Sequence, residues 1–351
     1  MKNILVMGAG GTAGINFIEC LVKAGRYNIV GCDINDWHLE ILKGKFKEVK
    51  TYVSPNCLDV TYNQFINDLI VKENIDFVHA QPDMEVEVLG KSREQIKAIT
   101  FLPSDRMISR CRDKYITNRM LSAMTPLAYL VDESLIHFQI LSIQEEAGNE
   151  KVWLRAVRGA GSRAALPVTS AEQALNWIKY WKETKRLEAN DFMLSEFLPG
   201  KEYAFQSVWK DGELITSMAR ERVEYLMGNL FPSGQSSSPS VAVTVHNDAV
   251  NETATTAIRL LDSDANGVFC IDMKEDVEGR PHVTEVNAGR FFTTSNFFAH
   301  FGANMPDTYI QLGLGEEVTG LEQYNALQKD LVWVRGVDVI PYGFALGDKK
   351  Q

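Results

Sequence analysis

Two short apolar stretches, Gly267-Val-Phe-Cys-Ile-Asp272 and Pro281-His-Val-Thr-Glu285-Val-Asn-Ala-Gly-Arg, predict the two arms of a β-hairpin. Between them, Val277-Glu-Gly-Arg280 offers a tight turn, with glycine where a positive φ is wanted. When the turn is centred on its Glu-Gly pair, antiparallel pairing places Asp272 directly opposite Glu285.

This predicted hairpin gathers oxygen ligands on one face. Side chains alternate along a strand, so Glu285 and Asn287 project on the same side as Asp272. Two facing carboxylates repel unless a cation lies between them, and Mg²⁺ (or Mn²⁺) prefers such oxygens together with substrate phosphates. Arg290, just beyond, is placed to hold a transferring phosphoryl group. The alternative is a surface hairpin whose polar face is solvated. Because Asp272, Glu285 and Asn287 share one face, the pattern favours a metal site and ATP chemistry.

Bulk properties restrict the class of protein. With 351 residues the chain is long enough for two or three domains. The formal net charge of -10 argues against a nucleic-acid or anionic-membrane partner. The five cysteines are scattered without CxxC spacing, as in reduced cytosolic proteins. No apolar run is long enough for a signal peptide or a membrane span. We therefore expect a cytoplasmic protein that acts on small molecules.

Residues 1–111 alternate between strand and helix patterns. Strands are predicted at residues 3–7, 27–33 and 75–80, with glycine-rich turns and helical patterns between them. Such alternation predicts a parallel, doubly wound sheet that binds ligands at the carboxyl ends of its strands.

The glycine-rich turn after the first strand has two interpretations. Gly8-Ala-Gly10-Gly11-Thr-Ala13 satisfies G-x-G-x-x-A, and Asp33 ends the second strand, as in NAD-dependent oxidoreductases. Alternatively, the glycines permit a tight turn with close helix packing, or hold a different anion at the helix N-terminus.

A later strand end of the same domain carries two acids. Asp83 and Glu85 follow the predicted strand at residues 75–80 and face the interlobe cleft if the sheet is doubly wound. There they favour an amino or cationic group on one substrate, with Gly10 and Gly11 nearby. Acidic residues at a strand end are also often plain loop formers.

Residues 112–190 follow a different pattern. A helix is predicted from Asp113, and a strand at residues 152–157 runs into Arg158-Gly159-Ala-Gly161-Ser162-Arg163. The loop bounded by Arg155, Arg158 and Arg163 has two interpretations. It is either a flexible lid over phosphates or an ordinary turn with surface arginines. Two capping-box spacings open a helix at residues 171–185.

Residues 191–351 supply the remaining candidates. Between two strands, Glu196, Phe197 and Leu198 offer free backbone groups to an adenine edge. Glu202 is placed to accept hydrogen bonds from ribose hydroxyls, or is a solvated acid. Arg220 and Arg222 follow a strand predicted at residues 213–218, and would hold a substrate carboxylate or form surface salt bridges. The serine-rich loop at residues 233–239 is expected to line the site.

Taken in order, these motifs resemble the ATP-grasp superfamily, nearest to the synthetase modules of the carbamoyl phosphate synthase large chain. The resemblance implies an α/β fold with a Rossmann-like pre-ATP-grasp domain at residues 1–111. A two-lobed α+β ATP-grasp domain follows, with lobes at 112–190 and 191–351. It further implies that the first-domain glycine loop contacts a substrate in place of NAD.

The resemblance also assigns roles to individual residues. Arg155 and Arg290 would be the catalytic cations, and Asp272, Glu285 and Asn287 the metal ligands. The ATP site would be formed by Lys114, Arg155, Gly159, Gly161, Ser162, Glu196, Phe197, Leu198 and Glu202. The substrate site would be formed by Gly10, Gly11, Asp83, Glu85 and Arg220.

The chain departs from the family pattern in two ways. The usual Asn-Pro-Arg appears as Asn287-Ala-Gly-Arg290, with one extra residue, and no second module or amidotransferase signature is present. The resemblance therefore implies a single carboxylate-amine ligase that uses ATP and Mg²⁺ to form an acylphosphate. Its relatives are frequently dimers, which makes a homodimer the candidate assembly. The rival interpretations are an NAD-dependent oxidoreductase and a non-catalytic ATP-binding protein.

Overall fold

Three sheets organise the chain in a computed structural model, which describes residues 1–159, 164–185, 187–236, 238–337 and 342–345. Gly161 and Ser162 of the predicted phosphate loop lie outside the described residues. Within the described part, no helix is long and apolar enough to cross a membrane.

The first sheet is parallel, with strand order β3-β2-β1-β4, as the alternation of residues 1–111 predicts. β4 begins at Phe77, two residues later than predicted, because the Asp76 carboxylate accepts a hydrogen bond from the Asn3 backbone (2.8 Å). The elements of this region are β1 Lys2–Met7, α1 Thr12–Ala24, β2 Tyr27–Asp33, α2 Asp36–Lys45, β3 Lys50–Val53, α3 Tyr62–Glu73, β4 Phe77–Ala80, α4 Asp83–Lys91, a short 3-10 turn Arg93–Gln95 and α5 Asp105–Cys111.

The second sheet is antiparallel, with order β5-β8-β6-β7. Two helices pack on it through a separate apolar core that includes Ile140, Ile178 and Leu194. Its elements are α6 Lys114–Leu121, a 3-10 turn Ser122–Met124, β5 Ala128–Leu130, α7 Ile136–Ala147, β6 Val152–Ala156, β7 Leu166–Val168, α8 Ala171–Lys185, a 3-10 turn Ala189–Asp191 and β8 Phe192–Glu196.

The third sheet has seven antiparallel strands in the order β13-β12-β9-β10-β11-β14-β15. β10 extends to Tyr225, seven residues beyond the predicted strand, because Glu221 and Arg222 pair with both neighbouring strands. Its elements are β9 Glu202–Lys210, β10 Glu213–Tyr225, a 3-10 turn Gly228–Leu230, β11 Pro239–Val245, α9 Asp248–Leu261, β12 Gly267–Glu275, β13 Pro281–Ala288, α10 Asn296–His300, α11 Met305–Gly313, β14 Leu331–Val334 and β15 Tyr342–Ala345.

The predicted hairpin is formed by β12 and β13. Asp272 lies directly opposite Glu285, which confirms the predicted register. The predicted turn was too short: residues 276–280 connect the strands, and the Asp276 carboxylate accepts from the backbone of Glu278 and Arg280 (both 2.9 Å). An irregularity at Thr284 restores the pairing, and its hydroxyl donates to the Asp272 carbonyl (3.0 Å).

One hydrophobic core spans the first and third sheets. Phe17 and Phe77 of the first region pack with Met218 of β10, Phe297 of α10 and Tyr309 of α11. The opposite face of the third sheet is covered by α9 in a second core. The carboxyl ends of the first sheet are thereby fixed beside the hairpin.

Candidate active site

A cavity of about 570 Å³ lies where the three sheets meet, within the range typical of small-molecule sites. Its walls come from β6, β8, α8, β10, β12, β13 and the segment after β4. Most of the candidates from the sequence line it.

The predicted metal ligands Asp272, Glu285 and Asn287 lie together at one end of the cavity. Asn287 Nδ2 is 3.4 Å from Asp272 Oδ2. A cation already neutralises each carboxylate: Arg222 donates to Asp272, and Lys114 Nζ lies 3.4 Å from Glu285 Oε1. The structure therefore brings together the three side chains that the hairpin pattern predicts, with the amide nitrogen of Asn287 toward Asp272 and its oxygen toward Arg290.

The two carboxyls differ in how their surroundings affect ionisation. Burial raises the pKa of Asp272, and the charge of Glu285 adds to this, against the opposing effect of Arg222. Burial also disfavours ionised Glu285, but Lys114, Arg155 and Arg290 outweigh it and lower its pKa. Glu285 is thus held as a carboxylate in the protein alone, and added positive charge would favour the same state for Asp272.

These donors fit a hard divalent cation that keeps open coordination positions. Two carboxylates and an amide oxygen suit Mg²⁺, which completes its shell with water and phosphate oxygens. Among the described residues, no group of three or more His, Cys, Asp or Glu is placed to hold a metal. The two carboxylates and one amide therefore suit a cation that is shared with phosphate oxygens.

Lys114 and Arg155 supply positive charge beside the metal ligands. Asp113 caps α6 by accepting from the Ile116 backbone (2.9 Å), which sets Lys114 as the first helical residue, and Lys114 Nζ donates to the Gly159 carbonyl (2.7 Å). Arg155 Nη2 donates to the Thr284 carbonyl (2.7 Å), whereas its buried Nε has no partner among the described residues. Lys114, Arg155 and Gly159 all line the cavity.

The predicted adenine segment follows β8. Glu196, Phe197 and Leu198 line the cavity, and Trp153 lies beside Phe197 with ring centroids 6.3 Å apart. The Leu198 backbone N–H makes no hydrogen bond within the described part of the chain. Burial raises the pKa of Glu196. This segment therefore offers a free backbone donor beside apolar surface, as a planar base requires.

Glu202 lines the cavity and accepts three hydrogen bonds, which leaves acceptor capacity on its carboxylate. Lys274 Nζ donates to Glu202 Oε1 (2.6 Å), Gln235 donates to the same oxygen, and the Tyr225 hydroxyl donates to Oε2. These three donors hold the Glu202 carboxylate in one orientation, and a ligand hydroxyl would donate to it there.

Arg290 contacts the first domain as well as its own strand region. It donates from Nε to Asp83 of α4 and from Nη2 to the Asn287 amide oxygen. Asp83 lines the cavity, as predicted. Its carboxylate forms an ion pair with Arg290, so it is not a free acid there.

The first-domain glycine turn is not brought to the cavity wall. The Gly10 backbone donates to Asp33 (3.0 Å), and a Cβ on Gly10 would lie 2.5 Å from the His38 Cβ. The glycines therefore allow close packing, and the Asp33 carboxylate accepts a hydrogen bond from the backbone of this turn. Gly11 caps α1 without lining the cavity, which separates both glycines from the site that was predicted for them.

Two further substrate candidates are buried away from the cavity. Glu85 is 8% exposed beneath Gly8, and burial raises its pKa to about 7. Arg220 is 0% exposed and does not line the cavity, so its role in substrate binding stays a prediction. Burial lowers the pKa of Arg220 to about 9, and the charge of Arg222 adds to this.

Sequence reasoning missed several lining residues. Lys274 shares a strand face with Asp272, two positions away, and that spacing could have identified it. Trp181 comes from α8 and places a buried indole N–H without a partner among the described residues. No local motif marks it, because the apolar face of α8 predicts only packing.

Comparisons with known proteins agree with this arrangement. Residues 188–335 match a family model described as "ATP-grasp in the biosynthetic pathway with Ter operon". No curated protein matches the chain. Among solved structures, the biotin carboxylase domain dimer of Hydrogenobacter thermophilus 2-oxoglutarate carboxylase, in complex with MgADP, ADP and bicarbonate, has a TM-score of 0.71 at 14% identity. That match covers 95% of this chain and 74% of the other.

Two other solved structures extend the comparison. N5-carboxyaminoimidazole synthetase from Staphylococcus aureus, complexed with ADP, has a TM-score of 0.69 at 15% identity and covers 95% of this chain and 82% of that one. L-amino acid ligase from Bacillus licheniformis has a TM-score of 0.66 at 15% identity, with 95% and 79% covered. At such identities the likeness shows the fold. The family match is confined to residues 188–335, which include β8 to β14.

Proposed function

We propose that this protein is an ATP- and Mg²⁺-dependent ligase that activates a carboxylate as an acylphosphate for attack by an amine or similar nucleophile. One observation carries the proposal. The adenine segment, Glu202, the cations Lys114 and Arg155, and the Asp272–Glu285 pair all line a single cavity.

Each residue has a role that follows from its position. Asp272, Glu285 and Asn287 would hold Mg²⁺, which neutralises phosphate charge when bound. The adenine would contact the backbone of Glu196, Phe197 and Leu198, and Glu202 would accept from the ribose hydroxyls. A polyanionic ligand suits the cavity because its described cations outnumber its carboxylates, although the whole chain has a formal net charge of -10.

Phosphoryl transfer needs positioning and charge neutralisation more than a covalent nucleophile. Lys114 and Arg155 would neutralise the phosphates that remain on ADP, and Arg290 would stabilise the transferring group. The bond between the γ-phosphorus and the bridging oxygen breaks as a carboxylate oxygen attacks. The nucleophile then attacks the acyl carbon, loses a proton, and phosphate leaves.

Solved proteins of the same fold support this choice. Complexes with ADP, MgADP and ATP are recorded for proteins of this fold, and the named activities include an amino acid ligase. The closer likeness to a carbamoyl phosphate synthase module stays a prediction from motif order. The division at residues 111 and 190 and a homodimer are also proposals, and the 2-oxoglutarate carboxylase domain was itself solved as a dimer.

The direct test is ADP release from ATP with pooled carboxylic acids, including amino acids and bicarbonate, each with and without amines. We expect release that requires Mg²⁺ and depends on one acid pool. MgADP binding without turnover in any pool would favour a non-catalytic ATP-binding protein. NADH binding without ATP binding would favour the oxidoreductase interpretation.

A further inference from the structure

Arg220 is a buried cation without a carboxylate partner in the described part of the chain. It is 0% exposed at the centre of the third sheet. Its Nη1 donates to the Thr294 carbonyl (3.3 Å), but Nε and Nη2 have no partner among the described residues. Buried charges are normally paired because their desolvation is costly, so this arrangement is incomplete by itself.

The surroundings of Arg220 are cationic and polar. Arg222, two positions along β10, and Arg335 lie near enough for their charges to lower the pKa of Arg220, after the larger effect of burial. Thr294 Oγ1 and Gln206 Oε1 are buried nearby, also without partners in the described residues. Arg222 has Asp272 as a partner, whereas no described carboxylate pairs with Arg220 or Arg335.

Phe292 contacts both arginines of β10 and lines the cavity together with Arg222, whereas Arg220 does not line it. The guanidinium carbons of Arg220 and Arg222 lie 5.0 and 5.3 Å from the ring centroid of Phe292. Phe297 and Phe298 also contact Arg220, at 5.9 and 5.1 Å. The negative face of a ring is a weak substitute for an anion. Rotation of one side chain, Phe292, would join Arg220 to the cavity.

We propose that Arg220, Arg222 and Arg335 form a subsite for a second anionic group of the substrate, which Phe292 covers when the subsite is empty. This rests on the proposed function, because the first anionic group is the carboxylate activated near Asp272. Arg220 is two strand positions from Arg222, the partner of Asp272, which is about 7 Å along β10. The substrate class is therefore an acid with two anionic groups separated by a short carbon chain.

The test compares acids that differ only in the second anionic group. Calorimetric titrations in the presence of MgADP would use succinate, glutarate and adipate against butyrate, valerate and hexanoate. The phosphonate 3-phosphonopropionate distinguishes a second phosphoryl-type group from a second carboxylate. The proteins are wild type, Arg220→Met and the control Arg259→Met, which removes an exposed arginine on α9, across the third sheet.

We expect at least one dianionic acid to bind about tenfold or more tightly than its matched monoacid in the wild type and in Arg259→Met. Arg220→Met should still bind MgADP, but it should bind the diacid no more tightly than the matched monoacid. It should also fold, because an apolar side chain of similar length removes the cost of a buried charge. If it does not fold, Arg335→Met, which removes the half-buried third arginine, should lose the preference instead.

Equal binding of diacids and monoacids by the wild type, with MgADP bound normally, would overturn the subsite and leave the ligase proposal standing. So would a dianion preference that survives in both Arg220→Met and Arg335→Met. A chain that binds no MgADP would contradict the proposed function, and the same titrations without nucleotide would then decide the subsite.

Discussion

Arg290, which follows the metal-ligand strand β13, donates a hydrogen bond to Asp83 at the start of α4 in the first domain. The same guanidinium donates to Asn287, a candidate metal ligand. The contact fixes the proposed phosphoryl-binding cation from two sides. The first domain thereby contributes to the proposed ATP site through an acid that orients an arginine, without using its glycine turn.

Asp83→Asn should lower kcat for ADP release by about tenfold and leave MgADP affinity unchanged, since a charge-assisted hydrogen bond to Arg290 is lost. Steady-state kinetics and calorimetry measure the two quantities. Asp36→Asn is the matched control, because Asp36 also opens a helix but is exposed. An unchanged kcat in Asp83→Asn would show that Asp83 does not position Arg290.

Glu202→Ala should weaken MgADP binding by about tenfold, because the proposed acceptor for the ribose hydroxyls is lost. Its three donors, Tyr225, Gln235 and Lys274, would be left without their shared acceptor. Glu221→Ala on neighbouring β10 removes an acid that pairs with Lys201 (3.0 Å) and serves as control. Equal affinity for MgADP in Glu202→Ala and wild type would contradict the ribose assignment.

Glu85 predicts a pH-dependent stability. Burial raises its pKa from 4.5 to about 7, so the folded state favours the protonated acid. The resulting stabilisation is present below about pH 4.5 and is lost as the pH rises through about 7. Glu85→Gln should therefore raise the free energy of unfolding at pH 8 by about 3 kcal/mol, with little difference at pH 4.5.

Urea unfolding of Glu85→Gln at several pH values measures this effect. The exposed Glu94→Gln is its control and should follow the wild-type pH profile. A parallel pH profile for Glu85→Gln and wild type would show that Glu85 does not titrate between folded and unfolded states in this range.

The hairpin could be predicted from the sequence because its information is local. Alternating apolar residues and a glycine at positive φ set the pairing of Asp272 with Glu285. The predicted turn was too short. The irregularity at Thr284 restores the register, so Asp272 faces Glu285 as predicted. Pairing in a sheet is constrained by which face is buried, and this outweighs the exact turn.

The missed features depend on contacts between distant parts of the chain. Arg222 and Asp272 are 50 positions apart, and Trp181 reaches the cavity from a helix whose pattern indicates only packing. The glycine turn of the first domain was ambiguous for a similar reason. The Gly10 N–H donates to Asp33, and His38 packs closely against Gly10, which no local spacing reveals.

Glu285→Gln should reduce ADP release by about a hundredfold or more while the fold is retained, because one ligand charge is lost where Lys114 and Arg155 remain. The Mg²⁺ dependence of MgADP binding should weaken in parallel. Glu278→Gln in the connecting loop of the same hairpin is the control, since that side chain is 64% exposed. Wild-type turnover in Glu285→Gln would contradict the metal assignment.

The measurement that tests the central claim most directly is oxygen transfer from the acid to phosphate. The acid pool that supports ADP release would be prepared with ¹⁸O in its carboxylates, and the released phosphate analysed by mass spectrometry. Activation as an acylphosphate predicts one ¹⁸O atom in each phosphate formed, with the label absent when Glu285→Gln replaces the wild type. Phosphate that carries no ¹⁸O while ADP and product accumulate would contradict carboxylate activation and the proposed function.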